Sequence, residues 1–184
     1  MPAHIRGIIL HENISNYLLS NVPCLDVEVG RVYYTLIQEL KNSEGNLHVE
    51  ERWYFDPDWN PVEGRPDTGI VSILDACLIT GDDTARVIDY KTGAGRFTYK
   101  HEIQGMIYAK SVFAKFPDVA EVLVEFWYLD QPINWRNMQV YHRDSLPRIP
   151  VHEFLQNKTK RPNGGSFTCK SCPHAGVTCL EYVL

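Results

Sequence analysis

Apolar positions recur along this chain at two spacings, one helical and one alternating, and together they predict a mixed α/β protein. Between Ile5 and Ser20, residues Ile8, Leu10, Ile14, Tyr17 and Leu18 fall at helical spacing. Val32, Tyr33, Leu36, Ile37 and Leu40 do the same between Val29 and Lys41, and Asn42-Ser-Glu-Gly45 ends that helix. His48–Phe55 alternates as a strand, and Asp56–Pro61 reads as a turn. The apolar run Gly69–Ile79, the loop Thr80-Gly-Asp-Asp-Thr84 and the returning segment Ala85–Lys91 read as an antiparallel hairpin. A third helix is expected over Tyr99–Phe116, with Ile103, Ile107, Val112 and Phe116 on its apolar stripe and Pro117 as its stop. Val119–Tyr128 is a strong strand, Val140–Arg143 is expected to pair with it, and Pro147–Gln156 is weakly helical. This order suits a mixed central β-sheet flanked by helices.

The strands carry acids where apolar residues are the rule. Asp75 sits within the run Gly69–Ile79, and a lone buried carboxylate is costly unless paired, hydrogen-bonded or bound to a metal. Arg86-Val-Ile-Asp-Tyr-Lys-Thr-Gly93 ends a second strand in a charged triplet. Asp89 and Lys91, two apart, project to one face. In the hairpin, Asp75 and Asp89 fall opposite each other, and two converging carboxylates repel unless a cation lies between them. Oxygen-rich sites of this kind suit Mg²⁺ or Mn²⁺. The plainer alternative is a surface Asp-Lys ion pair of small energetic worth.

Further along, Gln104 and Tyr108 share a helix face at a spacing of four; ordinary polar decoration is the simpler account of either alone. Near the C-terminus, Cys169, Cys172 and Cys179 form a C-x2-C-P-x5-C pattern, placing three of the five cysteines within eleven residues. In an intracellular protein such clustering points to a soft-metal site rather than a disulfide.

Taken together, the strand aspartate, the hairpin, "VIDYKTG" and "HEIQGMIYA" resemble the PD-(D/E)xK nuclease superfamily, and more narrowly its RecB-type branch of phage and CRISPR-adaptation exonucleases. The opening "RGIILHENISNYL" is similar to that branch's Gly-x-x-x-His helix. The resemblance runs from about residue 6 to the C-terminus. It implies a restriction-endonuclease-like core and a divalent-metal-dependent DNA exonuclease acting in phage DNA processing, recombination or repair. Endonuclease activity is compatible with the same chemistry. A catalytically silent module binding DNA ends or a protein partner is the alternative. The resemblance assigns metal binding to Asp75, Asp89, His11 and the Tyr90 carbonyl. It gives Lys91 the role of orienting water and stabilising the phosphorane, and Gln104 and Tyr108 the role of positioning the strand. It also implies a 4Fe–4S cluster on Cys169, Cys172, Cys179 and a distant fourth cysteine. In relatives that cysteine precedes the Gly-x-x-x-His helix, where this chain has only Met1–Arg6. Cys24 is then the candidate and Cys77 the alternative, Cys77 being better suited to the core. Tetrahedral zinc, with His174 or Cys24 as fourth ligand, is the other reading of the cluster.

Composition narrows the frame. The chain of 184 residues is expected to form a single domain, with residues 157–184 as a cysteine-rich metal-binding lobe. No apolar run is long enough for a transmembrane helix and no signal-peptide pattern opens the chain, so a cytoplasmic protein is expected. A formal charge of −5 does not announce a nucleic-acid partner, so DNA contact must rest on local fields. Two basic clusters qualify: Lys91, Arg96, Lys100 and His101 near the proposed centre, and Lys158, Lys160, Arg161 and Lys170 beside the cysteines. A recombination or CRISPR-adaptation protein is a further implied partner.

Overall fold

The computed structural model describes residues 3–20, 22, 31–64, 69–81, 83–93, 99–132, 135–147 and 149. All of them belong to the unit Met1–Ile149. Cys24, Arg96 and everything from residue 150 onward lie outside the described residues. Cys169, Cys172, Cys179, His174, the second basic cluster and nearly all of the Pro147–Gln156 helix therefore lie outside them too.

Helices α1 (Ala3–Ser20) and α2 (Arg31–Asn42) precede strands β1 (Asn46–Phe55), β2 (Ile70–Ile79) and β3 (Thr84–Lys91). Helix α3 (Tyr99–Lys115) leads into β4 (Glu121–Tyr128) and β5 (Asn137–His142), and a 3-10 turn follows at Arg143–Ser145. The five strands form one mixed sheet in the order β1-β2-β3-β4-β5. All pairings are antiparallel except β3–β4, which is parallel and connected through α3. The last strand is longer than Val140–Arg143 and begins at Asn137. Its pairing with β4 runs from Glu121↔His142 to Phe126↔Asn137.

Alternation along β3 sorts the two faces. Ile88 and Tyr90 join the core beneath α1 and α2, with Leu10, Ile14, Leu18, Tyr33, Ile37 and Leu40. Asp89 points the other way and meets Tyr108 and Gln104 of α3. Helices therefore cover both faces, as expected for a sheet whose central strands are apolar on each side. Helix ends are satisfied by basic side chains. Lys41 donates to the carbonyls of Tyr17 and Leu18 at the end of α1. Arg143 donates to the carbonyls of Phe113, Phe116 and Val119, closing the end of α3 and its link to β4.

One strand departs from the simple pattern. Leu47, Val49, Trp53 and Phe55 alternate in the sequence as though they shared one face. In the structure Val49 joins the α1/α2 core. Trp53 instead packs on Phe116 at the end of α3, as does His48. The phase slips at Glu50, whose φ of 51° lies in the left-handed region that side chains other than glycine disfavour.

Candidate functional site

The centre forms where the β2–β3 ladder opens. Its last registered pair is Ala76↔Ile88, and one further step would set Asp75 against Asp89. At that step the Asp75 carboxylate takes the place of a strand carbonyl: the Tyr90 N–H donates to Asp75 Oδ2 at 2.6 Å. The carboxyl is mostly buried. Burial raises its pKa first and the charge of Asp89 adds to this; against His11 and the Tyr90 amide, the net result is about 6.

Asp89 is 3 % exposed, hydrogen-bonded on Oδ1 and ion-paired on Oδ2. Oδ1 accepts from the Tyr108 hydroxyl at 2.7 Å and from Gln104 Nε2 at 3.0 Å. Oδ2 lies 2.7 Å from Lys91 Nζ, yet no donor is aligned for a hydrogen bond to it. Gln104 closes the ring, its Oε1 accepting from Lys91 Nζ at 3.1 Å. The Tyr108 phenol is pushed well above its ordinary pKa by burial and by the charges of Asp89 and Asp75, so it stays a donor. The spacing of four between Gln104 and Tyr108 thus converges on one carboxylate.

His11 reaches the same place from α1. Its Nε2 lies 3.0 Å from the Tyr90 carbonyl, and its Nδ1 lies 3.3 Å from Asp75 Oδ1 and 3.7 Å from Glu50 Oε1. Acceptors at both nitrogens make this ring an imidazolium. Burial works against the charge, but the hydrogen bonds and charges of Asp75 and Glu50 outweigh it and push the pKa up to about 10. Gly7, one turn earlier, lets α1 come this close: a Cβ there would sit 2.8 Å from Thr92 Oγ1.

Among the described residues, His11, Glu50 and Asp75 bring one ligand atom each within 4.8 Å of one another. The grouping differs from the expected set in one member. Glu50 joins it, while Asp89 stands beside it, engaged with α3. Glu50 is the residue that sequence reading missed. Its only signal is the left-handed backbone that carries it opposite Asp75, and no sequence pattern announces that. The donor set of carboxylates, one carbonyl and one imidazole is chemically suited to a hard divalent cation. The buried Asp89 Oδ2 without an aligned donor fits the same purpose.

Cys77 is fully buried, and burial followed by the nearby Glu51 charge raises its thiol pKa. It is a core residue, inert as a thiolate ligand. Among the described residues, no helix is long and apolar enough to cross a membrane.

No protein-family model matches this chain, and no curated protein does. Among solved structures, the crystal structure of SSO0001 is similar at 15% identity with a TM-score of 0.43, over 95% of this chain and 83% of that one. At that level the likeness carries no conclusion about family or activity.

Proposed function

We propose that this chain is a divalent-metal-dependent DNA exonuclease of the RecB-type branch of the PD-(D/E)xK superfamily, with a restriction-endonuclease-like core. The observation that carries the reading is the treatment of Asp89. Its carboxylate is buried, fixed on Oδ1 by Tyr108 and Gln104, and flanked on Oδ2 by the Lys91 ammonium. A surface ion pair has no need of two further donors from a separate helix.

Asp75, Asp89, His11 and the Tyr90 carbonyl, with Glu50 beside them, would hold Mg²⁺ or Mn²⁺. A bound cation there supplies Lewis-acid chemistry and a water of lowered pKa. The chain's own residues do the rest. Lys91 offers a positive charge to the oxygens of a phosphate in transition. Gln104 spans Lys91 and Asp89 and fixes their separation. Tyr108 anchors the carboxylate so that the oxygen lacking an aligned donor is presented consistently.

The test is digestion of end-labelled single- and double-stranded DNA with Mn²⁺, beside Asp89→Ala and Lys91→Ala. The wild type is expected to shorten the labelled strand from an end, and each substitution to abolish this. Binding without cleavage by the wild type would favour the silent DNA-end-binding module. Cleavage that both variants retain would place the activity elsewhere.

For the C-terminal segment we propose a 4Fe–4S cluster on Cys169, Cys172, Cys179 and Cys24. Anaerobically purified protein should be brown and contain iron and acid-labile sulfide. Colourless protein with one zinc per chain would overturn that assignment.

A further inference from the structure

Three elements meet at Asp130, just past the end of β4. The parallel ladder between β3 and β4 has Lys91↔Tyr128 as its last registered pair. One step further, the Leu129 N–H donates to the Lys91 carbonyl at 2.9 Å. Asp130 follows at once. Its Oδ2 accepts from the Gly93 N–H at 2.5 Å, and its Oδ1 pairs with Arg6 Nη1 near the start of α1. One carboxylate thus joins the end of β4, the turn that leaves β3 and a helix residue 124 positions away in the chain.

The turn it holds is the one on which α1 rests. Gly93 has a φ of 95°, in the left-handed region that glycine adopts at little cost, and a side chain meets its N–H where a strand would offer a carbonyl. Thr92, beside it, faces Gly7 of α1 so closely that a Cβ on Gly7 would sit 2.8 Å from Thr92 Oγ1. Gly7 and His11 are four apart and share one helix face. The height of α1 over Thr92 therefore sets how near His11 Nε2 comes to the Tyr90 carbonyl, which lies 3.0 Å away. Arg6, next to Gly7, fastens the same part of the helix to the same carboxylate. A surface ion pair alone is worth little. Asp130 differs in that it is partly buried and gives its second oxygen to the backbone of the turn.

We propose that Asp130 is a positioning residue of the cation centre. By holding the Gly93 N–H on one oxygen and the Arg6 guanidinium on the other, it fixes α1 against the end of β3 and so places His11 at the Tyr90 carbonyl. The inference rests on reading His11, Asp75, Asp89 and the Tyr90 carbonyl as a cation site, and adds to it a residue that acts through the helix.

The experiment measures Mn²⁺ affinity by titration calorimetry for the wild type, Asp130→Ala and Asp130→Asn, each also in a His11→Ala background, with Tm recorded for all. Asp130→Ala is expected to weaken Mn²⁺ binding about fivefold in the wild-type background, the size of coupling within one hydrogen-bonded network. In the His11→Ala background no ring remains to be misplaced, and the same substitution should change affinity by less than about twofold. Asp130→Asn keeps an acceptor for Gly93 but loses the charge that faces Arg6. It should fall between, and it decides on the same terms if Asp130→Ala does not fold. A crystal structure of Asp130→Asn gives a second readout, in which His11 Nε2 should stand more than about 3.5 Å from the Tyr90 oxygen. A contact retained at its present length would overturn the inference. Equal affinity in the wild type and both Asp130 variants would also overturn it, and it alone. So would an equal loss in the two backgrounds, which would give Asp130 a role in general packing. A wild type that binds no Mn²⁺ would overturn the inference together with the reading of the centre as a cation site.

Discussion

The Tyr108 hydroxyl donates to Asp89 Oδ1 across 2.7 Å, inside a site where both residues are nearly excluded from water. Buried carboxylates are expensive, and this bond is part of what makes Asp89 tolerable. Tyr108→Phe keeps the ring and removes only the donor. It should lower stability by about 1.5–3 kcal/mol, the range for a hydrogen bond to a charged group. Urea denaturation checks this. The DNA cleavage rate should fall as well, because Asp89 loses an anchor that Gln104 alone does not replace.

Metal affinity should depend steeply on pH. Without metal the His11 imidazolium titrates at about 10, so at neutral pH a cation must expel that proton before the ring can act as a ligand. Mn²⁺ affinity is then expected to rise by ~10-fold per pH unit between neutrality and the His11 pKa, since one proton leaves. His11→Ala should flatten that slope. The metal-free protein should respond in the opposite sense. A histidine whose folded pKa is raised above 6.5 contributes stability that is complete below that value and is lost as pH climbs towards 10. Titration calorimetry with Mn²⁺ and thermal melts in chelator test the two halves separately.

Gly7 should prove to be a spacing residue for His11. A methyl there meets Thr92 Oγ1 at 2.8 Å, closer than real Cβ contacts allow. Gly7→Ala is expected to push α1 off the end of β3, draw His11 from the Tyr90 carbonyl and weaken Mn²⁺ binding several-fold. Removing the obstructing oxygen with Thr92→Ala should restore binding in the double variant. Absence of that rescue would show that the two residues do not set the helix height together.

Glu125, 1 % exposed, offers a test away from the centre. Its Oε1 accepts from Arg86 Nε and Nη2 at 3.0 and 2.7 Å, and its Oε2 accepts from Trp127 Nε1 at 2.9 Å. Arg136 stands 3.4 Å from Oε2. The arginines keep partial access to water and the carboxylate has none. Arg86→Ala removes both donors to Oε1 and leaves the buried carboxylate to Arg136 and Trp127, so it should cost towards the lower end of ~3–5 kcal/mol. Glu125→Gln leaves cations that water can reach and should cost less. Chemical denaturation of the pair decides the order.

Much of the site was legible because it depends on local spacing. Asp89 and Lys91 share a face by the alternation of a strand, and Gln104 and Tyr108 share one by the turn of a helix. The hairpin between β2 and β3 followed from a polar turn between two apolar runs. It brought Asp75 to the level of Asp89, one step past the last registered pair. Glu50 was not legible, since its place depends on a left-handed residue within β1 and the partner strand beyond it. The alternation of Leu47, Val49, Trp53 and Phe55 hid the slip, because all four positions are apolar on either side of it.

The sequence by itself determined the order of helices and strands and the pairing of near neighbours, because burial periodicity and backbone geometry act over a few residues. Only the tertiary structure decided which acids meet His11, where the ladder opens, and how α3 closes on Asp89. Those relationships join residues far apart in the chain, such as His11 and Tyr90. They are fixed by which faces of the sheet the helices cover, and no short stretch of sequence encodes that.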